Sequence, residues 1–176
     1  MHAIIPLDPA SHIPQIRTIG AAIFNANDYA LLEKSLQESS CGLTRTLSRV
    51  LVANDTSHHV LGFALVKQRD PAIQTYELSF LGISPDYQGR GGGSQLLRAL
   101  ETMLPQGASC WLLVNQDNTS AQNLYSKFGF HILCECLDAY LTPCYIMMRK
   151  EMSPVSSPVQ SPQRNGSSAS LDIISV

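Results

Sequence analysis

The chain has 176 residues, of which 44% are hydrophobic and 15% are charged, and its formal net charge is -2 at pH 7. This composition is typical of a globular protein with a sizeable core, and the near-neutral charge argues against a nucleic-acid-binding module, which needs clustered Lys and Arg. The first residues lack the basic and apolar regions of a signal peptide, and no apolar run approaches the roughly 20 residues that span a bilayer. We therefore expect a soluble cytoplasmic protein without a nucleic-acid or membrane partner.

The first half of the sequence predicts one strand, two helices and three further strands. Asp8 can cap the first helix, and Asn27 or Asp28 can cap the second, which should end before Gly42. The predicted strands are His2 to Leu7, Leu47 to Ala53, Val60 to Lys67 and Thr75 to Ile83.

The second half alternates helices and strands. Gly93 to Leu104 predicts a helix with one continuous apolar face, and Asn118 to Phe128 predicts another, with Asn118 as its cap and Gly129 as its stop. The remaining predicted strands are Ser109 to Val114, His131 to Leu137 and Tyr145 to Lys150. This order of elements predicts an α/β (α+β) fold with a mixed sheet.

The composition changes after Met152, where the chain becomes rich in Ser, Pro and Gly. Such a segment buries too little apolar surface to offset the entropy lost on ordering, so we predict a folded domain over residues 1–152 and a disordered tail over residues 153–176. Repeated Ser-Pro pairs in the tail are compatible with phosphorylation sites or with a passive tail.

Five cysteines are present, at Cys41, Cys110, Cys134, Cys136 and Cys144. An odd number with irregular spacing predicts reduced thiols rather than a disulfide framework. Zinc-binding pairs are usually separated by two to four residues, whereas Cys134 and Cys136 are separated by one. We therefore expect small buried apolar side chains and no metal.

A glycine-rich segment, Gln88-Gly89-Arg90-Gly91-Gly92-Gly93, joins a predicted strand to a predicted amphipathic helix. Backbone N–H groups of such a loop, beside the positive end of a helix, suit a phosphate or pyrophosphate. The P-loop motif is excluded because Ser94 follows Gly93 with no lysine, and the glycine spacing differs from the dinucleotide fingerprint. A flexible turn is the alternative interpretation, which the order of strand, loop and helix disfavours.

Two segments resemble the GNAT superfamily of N-acetyltransferases. The pattern Gln88-x-x-Gly91-x-Gly93 is similar to that family's acetyl-CoA pyrophosphate loop, and residues 118–130 resemble its Asn-x-x-Ala-x-x-Leu-Tyr-x-Lys-x-Gly-Phe helix. The resemblance implies the GNAT fold, a mixed and mostly antiparallel sheet of six to seven strands flanked by about four helices. It also implies an acyltransferase that uses acetyl-CoA as a co-substrate, needs no metal, and acetylates a primary amine by direct attack in a ternary complex.

The resemblance further implies a set of site residues. Tyr125 would donate a proton to the departing CoA thiolate, and Glu77, eleven positions before Gln88, would be the base that takes the amine proton. The residues expected to contact the cofactor are Leu81, Gly82, Ile83, Gln88, Gly89, Arg90, Gly91, Gly92, Gly93, Ser94, Asn118, Ala121 and Tyr125.

Both catalytic candidates also have a purely structural interpretation. Tyr125 belongs to an apolar helix stripe that would pack in the core, and packing is compatible with a hydroxyl that reaches the cofactor. Strand alternation places Glu77 on one face with Ser79, opposite Leu78 and Phe80, where the carboxylate could simply point to solvent.

The acceptor amine is left open. Residues 23–29 and 137–148 are loosely similar to the substrate loop and hairpin of ribosomal-protein N-terminal acetyltransferases, but Leu113 stands where those enzymes carry a Glu or His base. A protein N-terminus, a lysine side chain and a small-molecule amine are all compatible acceptors, and the protein could be a monomer or a homodimer. The alternative function is an acyl-CoA-binding sensor or scaffold with weak or no catalysis.

Overall fold

A computed structural model describes residues 2–40, 47–53, 59–137 and 143–152. The elements within these ranges are β1 (His2–Pro6), α1 (Pro9–Ile23), α2 (Ala26–Ser40), β2 (Arg49–Ala53), β3 (Val60–Asp70), β4 (Thr75–Ile83), a 3-10 turn (Pro85–Tyr87), α3 (Gly92–Met103), β5 (Ser109–Asn115), α4 (Thr119–Lys127), β6 (His131–Leu137) and β7 (Pro143–Glu151). The predicted tail over residues 153–176 and the thiols of Cys41 and Cys144 lie outside what the structure describes.

The strands form one seven-stranded sheet in the order β1-β2-β3-β4-β5-β7-β6. Neighbouring strands are antiparallel except β4 and β5, which run parallel at the centre of the sheet. The predicted mixed, mostly antiparallel sheet flanked by four helices is therefore confirmed. None of the described helices is long and apolar enough to cross a membrane.

Each face of the sheet carries its own apolar core. On one face, Ile16 of α1 and Leu32 of α2 pack with Phe63 of β3. On the other, Leu97 of α3 and Tyr125 of α4 belong to a second cluster that includes strand residues of β3, β4 and β5. Burying a Leu, Ile or Phe side chain stabilises the fold by roughly 1.5–3 kcal/mol, so these two clusters fix the helices on their respective faces. We call them the α1/α2 face and the α3/α4 face.

The first helix begins as predicted and the second does not. Asp8 accepts a hydrogen bond from the Ser11 backbone N–H at 3.1 Å and caps α1. At the start of α2, the Asn25 side chain accepts from the Asp28 N–H at 2.9 Å. The predicted caps Asn27 and Asp28 were therefore wrong, because both residues already lie in the first turn of the helix.

A β-bulge in β4 changes which side chains share a face. Leu65 of β3 pairs with Phe80 and Val66 pairs with Leu78, so Ser79 is an extra residue on β4. An extra residue reverses the side of the sheet that later side chains occupy. Phe80 accordingly packs on the α1/α2 face while Leu78 packs on the α3/α4 face, so the predicted placement of Phe80 opposite Glu77 was wrong.

The bulge lies where the two central strands separate. The β4–β5 ladder consists of three pairs, Thr75 with Ser109, Tyr76 with Cys110 and Glu77 with Trp111. From Leu78 onward β4 has no β5 partner, although β5 continues to pair with β7 up to Asn115. Within the part of the chain that the structure describes, one edge of β4 is thus left without a strand partner beside the bulge.

The cysteines do not share one environment. Cys110 is a buried free thiol in the centre of β5, and Cys136 of β6 is half-buried. Cys134 is exposed, which contradicts the expectation that the cysteines are buried. The reason is its position on β6, the outermost strand of the sheet, where residues 131–135 are all exposed.

Candidate functional site

The glycine loop leads directly into the N-terminus of α3. Gly89 and Gly91 adopt φ values of 73° and 80°, in the left-handed region that favours glycine, and Gly91 is the N-cap residue of α3. A Cβ atom built on either glycine would meet nothing within 4 Å. Among the described residues the space beside Gly89 and Gly91 is thus open, and the first N–H groups of a helix have no intrahelical partner. The two features together fit an anion such as a pyrophosphate.

The next two glycines, Gly92 and Gly93, also allow close packing. A Cβ on Gly92 would lie 3.1–3.2 Å from the side chains of Ile83, Leu51 and Tyr87, and one on Gly93 would lie 2.9 Å from Cδ2 of Leu124. Their missing side chains let the start of α3 sit close to the end of β4 and to α4. The predicted cofactor contacts of Gly92 and Gly93 involve their backbone N–H groups and stay a prediction.

Polar side chains flank the loop. The Gln88 amide donates to the Ile83 carbonyl at 3.2 Å, which ties the start of the loop to the end of β4. The Arg90 guanidinium lies over the Tyr87 ring, 5.8 Å from its centroid. Arg90 thus places a positive charge beside the helix N-terminus, where it adds to the attraction for an anion.

The end of β4 is closely packed against its neighbours. Gly82 is buried, and a Cβ there would lie 2.7 Å from the Phe63 ring. Leu81 and Ile83 are half-buried against the α3/α4 core. The backbone of these residues therefore has a fixed position at the edge that β5 leaves unpaired.

Helix α4 is capped at both ends. The Asn118 side chain accepts from the Ala121 N–H at 3.0 Å, which confirms the predicted cap, and Gly129, with φ 81°, follows the last turn as predicted. Lys150 of β7 donates to the Phe128 carbonyl at 2.6 Å and ion-pairs with Glu101 of α3. These contacts hold α4 in a fixed position relative to the sheet and α3.

Tyr125 of α4 lies in the core beside the centre of the sheet. It is 8% exposed, and its ring meets Phe130 edge-to-face at 5.9 Å between centroids. Burial, and to a lesser extent the neighbouring Cys110 thiol, raise the pKa of Tyr125 above its ordinary value. The phenol therefore keeps its proton well into the alkaline range.

Cys110 connects Tyr125 to the point where β4 and β5 separate. Burial raises the pKa of the Cys110 thiol to about 12, and a hydrogen bond with the Leu78 backbone opposes this rise. Leu78 is the first β4 residue without a β5 partner. Tyr125, Cys110 and the Leu78 backbone are thus grouped at the start of the unpaired edge, a grouping that no sequence pattern indicated for Cys110.

The buried Cys110 thiol should make the fold less stable at alkaline pH. The ordinary pKa is 9.0 and the folded value is about 12, so above pH 9 the unfolded chain loses a proton that the folded chain retains. Stability therefore falls as pH rises, by about 1.4 kcal/mol between pH 8 and pH 10 for this one group. Urea denaturation at both pH values measures the loss of unfolding free energy. In the Cys110→Ala variant this loss should be smaller by the contribution of the thiol. An equal loss of stability in the wild type and in Cys110→Ala would show that the Cys110 thiol is not the group responsible.

Glu77 lies on the α1/α2 face with both carboxylate oxygens engaged. Its Oε1 accepts from the Ser79 hydroxyl at 2.8 Å, and its Oε2 ion-pairs with Arg69 of β3. The side chain is 14% exposed, so the carboxylate is held by the protein instead of pointing freely to solvent. Arg69 was missed from the sequence because only the strand register brings it beside Glu77.

Beyond β4 the α1/α2 face presents an apolar surface. Cys110, Leu112 and Val114 of β5 point into the opposite core, so Trp111 and Leu113 face this side. Leu113 is 48% exposed and pairs with Met147 of β7. We call the side chains of Trp111, Leu113 and Met147 the open face.

A contact between α2 and β7 borders the open face. The Tyr145 hydroxyl donates to Oδ1 of Asp28 at 2.9 Å, and the Asn25 amide donates to the other oxygen at 2.8 Å. Both oxygens of this carboxylate are therefore engaged. Over the described ranges, no group of three or more His, Cys, Asp or Glu side chains is arranged to hold a metal ion.

Residues 16–130 match the family model of the acetyltransferase (GNAT) family. The chain is similar to mycothiol acetyltransferase of Corynebacterium glutamicum (strain R), at 41% identity over 42% of this chain and 25% of that protein. It is also similar to N-alpha-acetyltransferase RimI of Mycobacterium tuberculosis, at 38% identity over 40% of this chain and 45% of that protein. The matched segment thus spans less than half the length of either curated relative.

A solved structure supports the same fold. PaiA N-acetyltransferase from Thermoplasma acidophilum, in complex with coenzyme A, superposes with a TM-score of 0.62 at 20% identity, covering 86% of this chain and 99% of that one. At this identity the likeness shows the fold alone. The family model, however, covers well over half of the chain, which therefore belongs to the GNAT acetyltransferase family.

Proposed function

We propose that the protein is an N-acetyltransferase that moves the acetyl group of acetyl-CoA to a primary amine by direct attack in a ternary complex. The observation that carries the proposal is the separation of β4 from β5 after Glu77, at the end of the sheet where the glycine loop enters α3. The relatives named mycothiol acetyltransferase and N-alpha-acetyltransferase support the reaction class. The relative in complex with coenzyme A supports the choice of co-substrate.

The cofactor would bind mainly through backbone groups. The pantetheine arm, which carries amides, would pair with the free edge of β4 at Leu81, Gly82 and Ile83, in the manner of an added strand. The pyrophosphate would take the N–H groups of residues 88–94, and α4 would contribute Asn118 and Ala121 along the arm. Backbone binding needs few cations, which is consistent with the low charge of the chain.

The proposed chemistry divides between the two faces of the sheet. On the α1/α2 face, Glu77 would take the proton that the amine must lose before its nitrogen can attack the thioester carbonyl. On the α3/α4 face, Tyr125 would give a proton to the thiolate as the C–S bond breaks, and its raised pKa keeps that proton available. Backbone N–H groups between Leu81 and Ile83 would stabilise the developing negative charge on the carbonyl oxygen.

The acceptor we propose is a singly charged primary amine with an apolar substituent next to the amine. The open face supplies Trp111, Leu113 and Met147 as contacts. Two carboxylates beside it are already engaged, Glu77 in an ion pair with Arg69 and Asp28 in hydrogen bonds from Tyr145 and Asn25. A second positive charge on the acceptor would therefore have to compete with these contacts. A protein N-terminus, a lysine side chain and a small amine meet the same requirement.

Turnover with a panel of amines tests the proposed function. Release of CoA thiol should occur with acetyl-CoA and apolar amines or peptides, and more slowly with spermidine. Acetyl-CoA binding without turnover on any amine would instead support the sensor or scaffold function.

Replacement of Glu77 tests the proposed base. Glu77→Gln keeps the size of the side chain but cannot take up a proton, and its single amide oxygen can keep only one of the two hydrogen bonds that Glu77 accepts. We expect kcat to fall by about 10²-fold with little change in acetyl-CoA affinity. The matched control is Glu33→Gln, which alters a carboxylate on α2 that pairs with Arg17 of α1 and should leave kcat within about twofold. A Glu77→Gln variant with unaltered kcat and pH–rate profile would remove Glu77 from the mechanism.

A further inference from the structure

We infer that Ser79 is a further catalytic residue, whose hydroxyl passes the amine proton to Glu77. The inference rests on the proposed function and adds a residue to it. Ser79 is the extra residue of the β4 bulge, and it lies two residues beyond the last β4–β5 pair, beside the edge where the thioester would bind.

The hydrogen bond between Ser79 and Glu77 has the direction that proton transfer to Glu77 needs. The Ser79 hydroxyl donates its proton to Oε1 of Glu77 at 2.8 Å. A hydroxyl that donates one hydrogen bond keeps two acceptor lone pairs, so the Ser79 oxygen can accept from the amine while its own proton already points at the carboxylate. Ser79 is half-buried, which limits competing contacts with solvent.

The charged side chains around Glu77 do not block the path from an amine through Ser79. Arg69 ion-pairs with Oε2 of Glu77 and so closes that side of the carboxylate. Lys67, the cross-strand partner of Glu77, is directed towards α2, where its ammonium donates to Ser35 at 3.0 Å and to Glu38 at 2.7 Å. Among the described residues, an amine can therefore reach Oε1 of Glu77 through the oxygen of Ser79, which already donates to it.

The proton transfers balance within the proposed reaction. The charged amine first loses one proton to the Ser79 oxygen while the original Ser79 proton moves to Oε1 of Glu77 and on to solvent, which leaves a neutral amine. As the neutral nitrogen forms its bond to the acetyl carbon, its second departing proton follows the same path through Ser79 to Glu77. The C–S bond breaks, and the CoA sulfur takes a proton from Tyr125. Ser79 ends as a hydroxyl, and Glu77 ends as a carboxylic acid that returns its proton to solvent while Tyr125 regains one.

Two substitutions at Ser79 test the relay. Ser79→Ala should lower kcat by about 10- to 100-fold and leave the KM for acetyl-CoA within about twofold, because only a proton transfer is lost. Ser79→Thr keeps a hydroxyl and should restore most of the rate. The matched control is Thr75→Val, which removes a half-buried hydroxyl from the other side of Glu77 on the same strand and should leave kcat close to that of the wild type.

A proton inventory in mixed H2O and D2O adds a readout that a structural role would not change. The wild-type rate should depend on the deuterium fraction as expected for two protons moving together, and the Ser79→Ala rate as expected for one. An active wild type with an unaffected Ser79→Ala variant, or a Ser79→Thr variant as slow as Ser79→Ala, would overturn the relay alone. A wild type that binds acetyl-CoA but acetylates no amine would overturn the proposed function, and the relay with it.

Discussion

Tyr125→Phe is expected to lower kcat by about 10²-fold while the affinity for acetyl-CoA stays nearly constant. The substitution removes one hydroxyl from a ring that is 8% exposed and packed edge-to-face on Phe130, so the packing is kept. Without the phenol, the CoA thiolate must leave without a positioned acid, and such an acid typically contributes 10²–10⁴-fold. Steady-state kinetics and isothermal titration with acetyl-CoA measure the two quantities separately.

Tyr76→Phe is the matched control for this effect. Tyr76 is buried in the same core, and its hydroxyl accepts from the Gln68 amide at 3.3 Å, on the β3 side of β4. Loss of this hydroxyl should cost stability but leave kcat within about twofold. Equal turnover in wild type and Tyr125→Phe, with both proteins folded, would exclude Tyr125 as the acid. Because the pKa of Tyr125 is raised, loss of its proton should not be what limits activity at mildly alkaline pH.

The elements that local sequence signals specify were predicted closely. Asp8 and Asn118 cap helices through contacts three residues along the chain, and Gly129 ends α4 through its own backbone conformation. Strands β4 and β6 have the predicted limits because continuous β-forming runs define both. All of these signals act within a few residues, so they can be identified without knowing the tertiary structure.

Features that depend on strand register could not be predicted in the same way. The bulge at Ser79 is visible only when β4 is aligned with β3, and it reverses the face of Phe80. The ion pair between Arg69 and Glu77 depends on the same alignment. The exposure of Cys134 follows from the position of β6 at the edge of the sheet, which neighbouring residues do not encode.

The candidate site also combines features that local sequence signals predict with features that depend on the tertiary structure. The glycine loop and the capped helix α4 are contiguous motifs, and the structure places both at the end of the sheet where β4 and β5 separate. Glu77 and Ser79 lie at this same end of the sheet because the parallel ladder between β4 and β5 stops after three residue pairs. The sequence therefore indicated the proposed cofactor loop more fully than the groups that would handle the acceptor proton.

The substitution Gly91→Ala is expected to weaken acetyl-CoA binding by about tenfold or more. Gly91 has a φ of 80°, and an L-residue pays roughly 1–2 kcal/mol in this region. The loop can relieve that strain by rotating its backbone, which turns the N–H groups at the start of α3 away from the pyrophosphate position. The added methyl group would also project into the space that is open beside Gly91. Isothermal titration with acetyl-CoA measures the change in Kd.

Gly107→Ala separates the binding effect from backbone strain. Gly107 has a φ of 76°, a Cβ there would also meet nothing within 4 Å, and the residue lies in the turn between α3 and β5, at the opposite end of α3 from the glycine loop. Both variants should therefore lose a similar amount of unfolding free energy, and thermal denaturation compares them. Only Gly91→Ala should lose affinity for acetyl-CoA. Equal Kd values for the two variants would mean that the backbone geometry at Gly91 does not hold the pyrophosphate, and the cofactor would then have to bind elsewhere along the free edge of β4.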